Sequence, residues 1–240
     1  MKYFKWTTIR LVLMVGLMIF LFSFTSRRNE QRYLKRAVVE FTGNDNQFIT
    51  REMVNKLLIE NKSGANTIRK DKVDLNRLEK AINRHRMIEK SEVFVSVDGV
   101  LKAVVKQKTP IARVVDGDQS FYIDYKGNRM PLSEIYAARV PLVTGKIDEN
   151  NKTEIAEMFR LISKDDFLKK NIIGAQISPS GSVKMKNRDF SYEIDFGRTI
   201  NMPRKFDNYK AFYQKAVLDS SISKYKIINL KFAQQVVCTK

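Results

Sequence analysis

Few residues in this chain could act chemically on a substrate. His85 is its one histidine, set in Asn83-Arg-His-Arg86. An imidazole titrates near neutral pH and suits general-base work, but a charged run of this kind reads as a solvated surface. Cys238 is the one cysteine. One His and one Cys do not make a usual zinc site, and a single thiol closes no disulfide within the chain. Thr144-Gly-Lys146 has the ending of a phosphate loop. The first glycine of such a loop is absent upstream, and Ile147 stands where Ser or Thr would hold magnesium. No G-x-S-x-G occurs, and no S-x-x-K is placed with partners. Asp124 and Asp195 each end a β-prone run, where turn chemistry explains them better than paired acid catalysis. No catalytic, cofactor-binding or metal-binding residue is assigned, and the expectation is a binding protein with no cofactor rather than an enzyme.

The element that organises the rest is apolar. From Leu11 to Phe24 no residue is charged, and Arg27 and Arg28 follow. Crossing a hydrocarbon core of roughly 30 Å takes about 20 helical residues. Trp6 to Ile9 lengthen the run, and Arg10 can turn its head to the interface while its stem stays in lipid. Lys2 and Lys5 would also suit a cleaved signal peptide, but no A-x-A-like site follows; the nearest small pair is Ser23 and Thr25. The expectation is an uncleaved transmembrane helix at 9–25, behind a short tail at 1–8. Lys2, Lys5 and Arg10 precede it, while Arg27, Arg28, Arg32, Lys35 and Arg36 follow. Read simply, the positive-inside rule keeps the bulk in the cytoplasm. That rule weakens for translocated segments longer than about 60 residues, so charge leaves the orientation open.

The chain has 240 residues, with 44 Lys and Arg against 26 Asp and Glu, a net charge of +18. Such basicity raises a nucleic-acid reading. The cations are scattered, however, and often sit beside acids, as in Arg69-Lys70-Asp71-Lys72 and Lys164-Asp165-Asp166. A dispersed solvated surface accounts for them, with attraction to anionic lipid as a side effect.

After a polar linker at 26–36, Ala37 to Phe41 reads as a strand closed by a turn at 43–46. Thr50 caps a helix whose inner face is Met53, Val54, Leu57 and Leu58. A loop with Ser63-Gly64 follows. Asp74 caps a second helix, with Leu75, Leu78, Ile82 and Met87 inward. Val93, Val95 and Val97 alternate up to Asp98-Gly99, and Leu101 to Val105 pairs back as a hairpin. The order over 37–108 is β-α-α-β-β. Thr109-Pro110 interrupts the pattern. From 109 to 240 the chain is mostly strand, with helices around Ile155 to Ile162 and Phe206 to Val217. The closing run, Asn229 to Val237, reads either as a core strand or as a sheet edge open to a partner strand.

Several of these segments together resemble one family. The β-α-α-β-β unit looks like a POTRA domain. Its end, Val97 to Ala112, resembles the hairpin and V-x-V-x-E-R/K-x-P-x-A stretch of the FtsQ/DivIB cell-division proteins. Phe121-Tyr-Ile-Asp-Tyr-Lys-Gly127 is similar to their Y-x-I-D-x-x-G, and Val140-Pro-Leu-Val-Thr-Gly145 to their L-P-x-L/V-x-G. Gly197 ahead of a helix, then Ile228-Asn-Leu-Lys-Phe232, resembles their closing I-D-L-R-Y/F. Gln107 stands where that family has Glu, and Asn229 where Asp is common.

The resemblance implies an α+β chain: a transmembrane helix, a POTRA-like domain at 37–108, then a mostly antiparallel β domain at 109–240. It implies a cytoplasmic N-terminus, with the bulk outside the inner membrane at the division septum. Implied partners are FtsB/FtsL-like coiled-coil proteins on the β domain and other division proteins on the POTRA domain, in a scaffold that helps regulate septal peptidoglycan synthesis. Phe232 matches the family's closing aromatic, where the resemblance places partner contacts, and Lys231, Phe232, Gln234 and Val236, on the same β-prone run, are the expected partner-binding residues. They sit on a closing strand from Lys231 to Val237, with Lys231 available to an acidic partner. The competing readings are a membrane-anchored nucleic-acid binder and a membrane-anchored cell-wall enzyme.

Overall fold

A computed structural model of the chain describes residues 6–30, 32–43, 48–59, 68–232 and 234–240. Residues 44–46 of the turn expected at 43–46, and the Ser63-Gly64 loop, lie outside them. The first element is helix α1, Trp6–Glu30. It contains one 20-residue window, Thr8–Arg27, long and apolar enough to cross a membrane, and none of that window is buried inside the structure. The helix runs past the expected 9–25, because Ser26 to Glu30 contains no Gly or Pro to stop it. The chain as a whole divides into two compact units. One is Met1–Asp45 with Ile49–Gln107; the other is Asn46–Phe48 with Lys108–Lys240.

In the first unit the order is β1 (Arg36–Thr42), α2 (Arg51–Leu58), a 3-10 turn (Lys70–Lys72), α3 (Leu75–Asn83), β2 (Ile88–Val95) and β3 (Val100–Gln107). This is the expected β-α-α-β-β. The sheet runs β1-β3-β2, with β1 parallel and β2 antiparallel to the central β3. Both expected caps are present. Thr50 Oγ1 accepts the Met53 N–H at 3.2 Å, and Asp74 Oδ1 accepts the Arg77 N–H at 2.9 Å, satisfying donors that a helix start leaves unpaired. Val54, Leu58 and Ile82 are buried beneath the helices, whereas Met53 is exposed, against expectation. Met87 is buried but lies beyond α3, which ends at Asn83. The Asn83 side chain stops the helix there. Its Oδ1 accepts the Ser91 N–H at 2.7 Å and the Ser91 hydroxyl at 3.0 Å, tying the helix end to β2.

The second unit is a nine-stranded mixed sheet in the order β12-β11-β10-β9-β8-β7-β4-β5-β6. The strands are β4 (Pro110–Asp116), β5 (Gln119–Asp124), β6 (Arg129–Met130), β7 (Leu142–Thr144), β8 (Ile172–Ile177), β9 (Val183–Asn187), β10 (Glu193–Gly197), β11 (Ile227–Asn229) and β12 (Val237–Thr239). Most neighbours are antiparallel; β4/β7, β7/β8 and β10/β11 are parallel. The helices are α4 (Lys152–Lys164), α5 (Asp166–Asn171) and α6 (Met202–Leu218). Two were expected. The third, α5, is a six-residue segment too short for periodicity to reveal, started by Asp165, whose Oδ1 accepts the Leu168 N–H at 3.0 Å.

One cluster packs the helices on the sheet, with Ile155, Met158, Phe159, Ile162, Phe206 and Tyr209 against Val143, Ile177, Met185, Ile194 and Phe196. A polar tie crosses it. Asn187 Nδ2 donates to the Tyr209 hydroxyl at 2.9 Å, and that hydroxyl lies 2.8 Å from Tyr192 Oη. Burial pushes the Tyr209 phenol up to about 12 and the Tyr192 phenol higher still. Both stay neutral at physiological pH and fix α6 to β9 and β10. At the start of the sheet, Asp124 is buried. Its Oδ1 accepts the N–H groups of Lys126 and Asn128 at 3.0 and 2.8 Å, and its Oδ2 lies 3.3 Å from Lys108 Nζ. Turn chemistry thus uses this carboxylate, as its position after an apolar run indicates.

Gly145 is fixed by space. Its φ is +101°, and a Cβ there would lie 2.1 Å from the Ile177 carbonyl oxygen. Gly145→Ala is expected to cost more than about 3 kcal/mol, since backbone must move. Gly181, at φ +77° with open space around it, is expected to cost only the left-handed penalty of about 1–2 kcal/mol when changed to Ala. Thermal melts of the two variants check the contrast.

Candidate partner-binding edge

The described residues from Lys231 to Val236 form no strand. Strand β11 stops at Asn229, β12 starts at Val237, and the expected residues Lys231, Phe232, Gln234 and Val236 lie on the loop between them. The reason is local. Asn229 Oδ1 accepts the Lys231 N–H at 2.9 Å, an Asx turn that bends the chain out of the ladder. Just before it, the Leu230 N–H goes to the Asp195 carbonyl at 2.9 Å. Ile228 and Leu230 are buried, so the motif alternates between core and turn. Asn and Asp both offer the acceptor this bend needs, which accounts for Asn229 at a position where Asp is common.

The four loop residues are not equivalent. Lys231 is engaged within its own chain, with Nζ 2.6 Å from Asp195 Oδ2. Its stem lies over Gly197, whose φ is +72° and where a Cβ would come within 2.7 Å of Lys231 Cγ. The expected free cation for an acidic partner is therefore already paired, although about half its side chain remains exposed. Val236 is partly buried against the core. Phe232 is 51% exposed and Gln234 is exposed. Beneath the loop, Lys205 is 1% exposed, and its Nζ donates to the carbonyls of Phe196 and Arg198 at 2.9 and 2.8 Å. Burial holds this ammonium below its ordinary value. It fixes the end of β10, against which β11 and the loop are set.

The open backbone lies one step further on, in β12. This strand pairs antiparallel with β11 through Ile227↔Thr239, Ile228↔Cys238 and Asn229↔Val237, and has no second neighbour among the described residues. The Lys226 N–H donates to the Thr239 carbonyl at 2.8 Å, so Thr239 faces inward. In an antiparallel ladder, paired and outward residues alternate. The backbone N–H and C=O of Cys238 therefore point to the open side. The Cys238 side chain packs on the core, and burial raises its thiol pKa. Sequence reasoning started the closing strand too early and gave no part at this edge to Cys238, Asp195 or Lys205. Asn229 two residues before Lys231 was the available turn signal.

His85 is not fully exposed. It is half-buried, with Nδ1 accepting the Met87 N–H at 3.3 Å after the end of α3. Among the described residues no group of three or more His, Cys, Asp or Glu comes together.

A family model described as FtsQ/DivIB, C-terminal related, matches residues 109–239. Among solved structures, the major extracytoplasmic domain of the trans isomer of the bacterial cell-division protein DivIB from Geobacillus stearothermophilus is similar to 48% of this chain. The match covers 97% of that structure, at 17% identity and a TM-score of 0.33. No curated protein sequence matches.

Burial holds the His85 imidazole below its ordinary value. The unfolded state, with a pKa near 6.5, then protonates first. The stability that the neutral ring contributes is complete above about pH 6.5 and is lost as pH falls through the folded value. Chemical denaturation at about pH 7.5 and about pH 5 is expected to give a lower midpoint at the acid pH. In His85→Asn, which keeps an acceptor near the Nδ1 position, the difference between the two midpoints is expected to shrink.

Proposed function

This chain belongs to the FtsQ/DivIB family of cell-division proteins, and from that premise we propose that it is a membrane-anchored scaffold that receives a strand from an FtsB/FtsL-like coiled-coil partner on β12. Membership gives the chain a role in cell division, within a family of non-enzymatic scaffolds. In our reading α1 anchors the chain with its N-terminus in the cytoplasm. Both folded units then lie outside the inner membrane at the septum. The second unit holds the coiled-coil partners, the first meets other division proteins, and together they help regulate septal peptidoglycan synthesis.

The observation that carries the docking mode is the open side of β12 with exposed Phe232 on the adjoining loop. A partner strand would pair with the Cys238 backbone, which places few demands on sequence. Side chains on either side would supply selectivity. Phe232 offers an exposed aromatic, a residue type enriched among interface anchors. Lys231 would act through the pose it takes on Asp195, holding the loop beside the edge.

Partner capture by the purified full chain tests this. Cys238→Pro removes an outward N–H without taking a donor from the β11 ladder. It is expected to leave the melting temperature nearly unchanged and to abolish capture. Phe232→Ala is expected to weaken capture about tenfold, the scale of an interface anchor. Full-strength capture by a folded Cys238→Pro chain would sink strand addition at β12.

A further inference from the structure

We propose that the first unit carries a basic face, beside the end of α1, that binds the anionic headgroups of the leaflet from which the helix emerges. Three segments far apart in sequence meet there. The Lys70 N–H donates to the Arg32 carbonyl at 2.8 Å, and the Leu34 N–H to the Ile68 carbonyl at 2.9 Å. Tyr33 forms an isolated antiparallel bridge with Arg69. The hairpin between β2 and β3 joins from the other side: the Lys35 N–H donates to the Gly99 carbonyl at 2.8 Å, and Arg32 Nη1 reaches the Val97 carbonyl at 3.4 Å. The 3-10 turn at Lys70–Lys72 also contacts α1 itself.

The charges on these segments are unbalanced. Arg27, Arg32, Lys35, Arg36 and Lys72 are exposed, and Arg69 and Lys70 lie among them. Glu30 stands between Arg27 and Arg32 in the chain, and among the described side chains two carboxylates, Asp71 and Asp98, lie on the other two segments. Asp71 is held by Arg69 through two bonds of 3.0 Å, and Asp98 lies within electrostatic reach of Lys35 and Arg36. Tyr33 and Val97 are 53% and 82% exposed in the same place. Cations with an aromatic and an apolar tip make the composition of a membrane interface.

Position identifies the anion. The apolar window ends at Arg27, which sets that residue near headgroup depth. Short hydrogen bonds then hold residues 68–72 against 32–34, a few positions beyond. Charges so placed lie within about one Debye length, near 10 Å, of the bilayer surface, where anionic lipid attracts each of them. The patch is a product of folding, because residues 68–72 lie some forty positions from the helix in the chain. Lipid contact here would limit the tilt of the first unit on its anchor. The inference rests on α1 spanning the bilayer and on nothing about the partner at β12.

The full chain is reconstituted in vesicles of phosphatidylcholine with increasing phosphatidylglycerol. A donor dye sits on Val97→Cys in a Cys238→Ser background, and an acceptor dye on the lipid headgroups. Energy transfer is expected to rise about twofold with the anionic lipid and to return to the neutral-lipid value at about 1 M salt, where screening is over roughly 3 Å. Combined Arg32→Glu, Lys35→Glu, Arg36→Glu and Lys72→Glu is expected to abolish the rise, and the four Gln replacements are expected to weaken it if reversal impairs folding. An equal charge change at Lys146, Lys169, Lys170 and Lys186 in the second unit is expected to leave it intact. Transfer that ignores lipid charge, or that survives loss of these four cations, overturns the proposal. Partner capture in detergent, where no bilayer is present, reads the scaffold role separately.

Discussion

Backbone N–H and C=O groups must be paired or hydrated, and in the second unit nine strands pair theirs in one continuous sheet. A sheet that does not close keeps two outer rows. One is β6, only two residues long, a length that blunts an edge. The other is β12, where Cys238 presents its donor and acceptor outward. The helices, the hydrophobic cluster and the buried polar tie all act on this sheet. Their joint effect is to hold β10 and β11 in place, so that the β12 row is presented in a fixed geometry.

Three polar residues do the local part of that work. Lys205 anchors the end of β10 through two carbonyls. Asp195 accepts the Leu230 N–H on its carbonyl and the Lys231 ammonium on its carboxylate. Asn229 turns the chain through its side chain. Burying the Lys205 ammonium is costly in itself, and its two carbonyl partners offset that cost. At the other end of the sheet Asp124 plays a comparable part. It closes its own turn and lies beside Lys108, so the K-T-P entry and the Y-x-I-D-x-x-G turn come together around one carboxylate. Gln107, where the family has Glu, is followed directly by this lysine.

The first unit meets a different demand, because it begins with a helix fit for lipid. Its caps and hairpin were legible from side-chain chemistry: Thr50 and Asp74 each hold an orphan N–H, and Asp98-Gly99 supplies the positive φ, +88°, that the turn requires. The end of α3 was not legible. Apolar spacing carried on to Met87, whereas Asn83 spends its side chain on Ser91 of another element, a contact that no periodicity encodes.

The sequence by itself determined most of the elements and their order, α5 and the closing strand β12 excepted. Local interactions set those: the uncharged run that makes α1, the caps, the glycine turns, apolar runs in β4 and β5, and alternation in β9 and β10. Motif spacing pointed to the family and drew attention to the closing stretch of the chain. Which residues of that stretch stay open was decided by tertiary structure. Lys231 reads as a free cation until Asp195, thirty-six positions upstream, is folded beneath it. Val236 reads as an edge residue until the core takes it, and Cys238 reads only as a lone thiol until pairing with β11 turns its backbone outward. The basic face beside α1 is likewise absent from the linear chain, since residues 32–36 and 68–72 become neighbours only through backbone bonds that form on folding. In each case the deciding partner is distant in sequence, and single-chain pattern carries no information about which distant groups a fold will bring within about 3 Å, the length of a hydrogen bond.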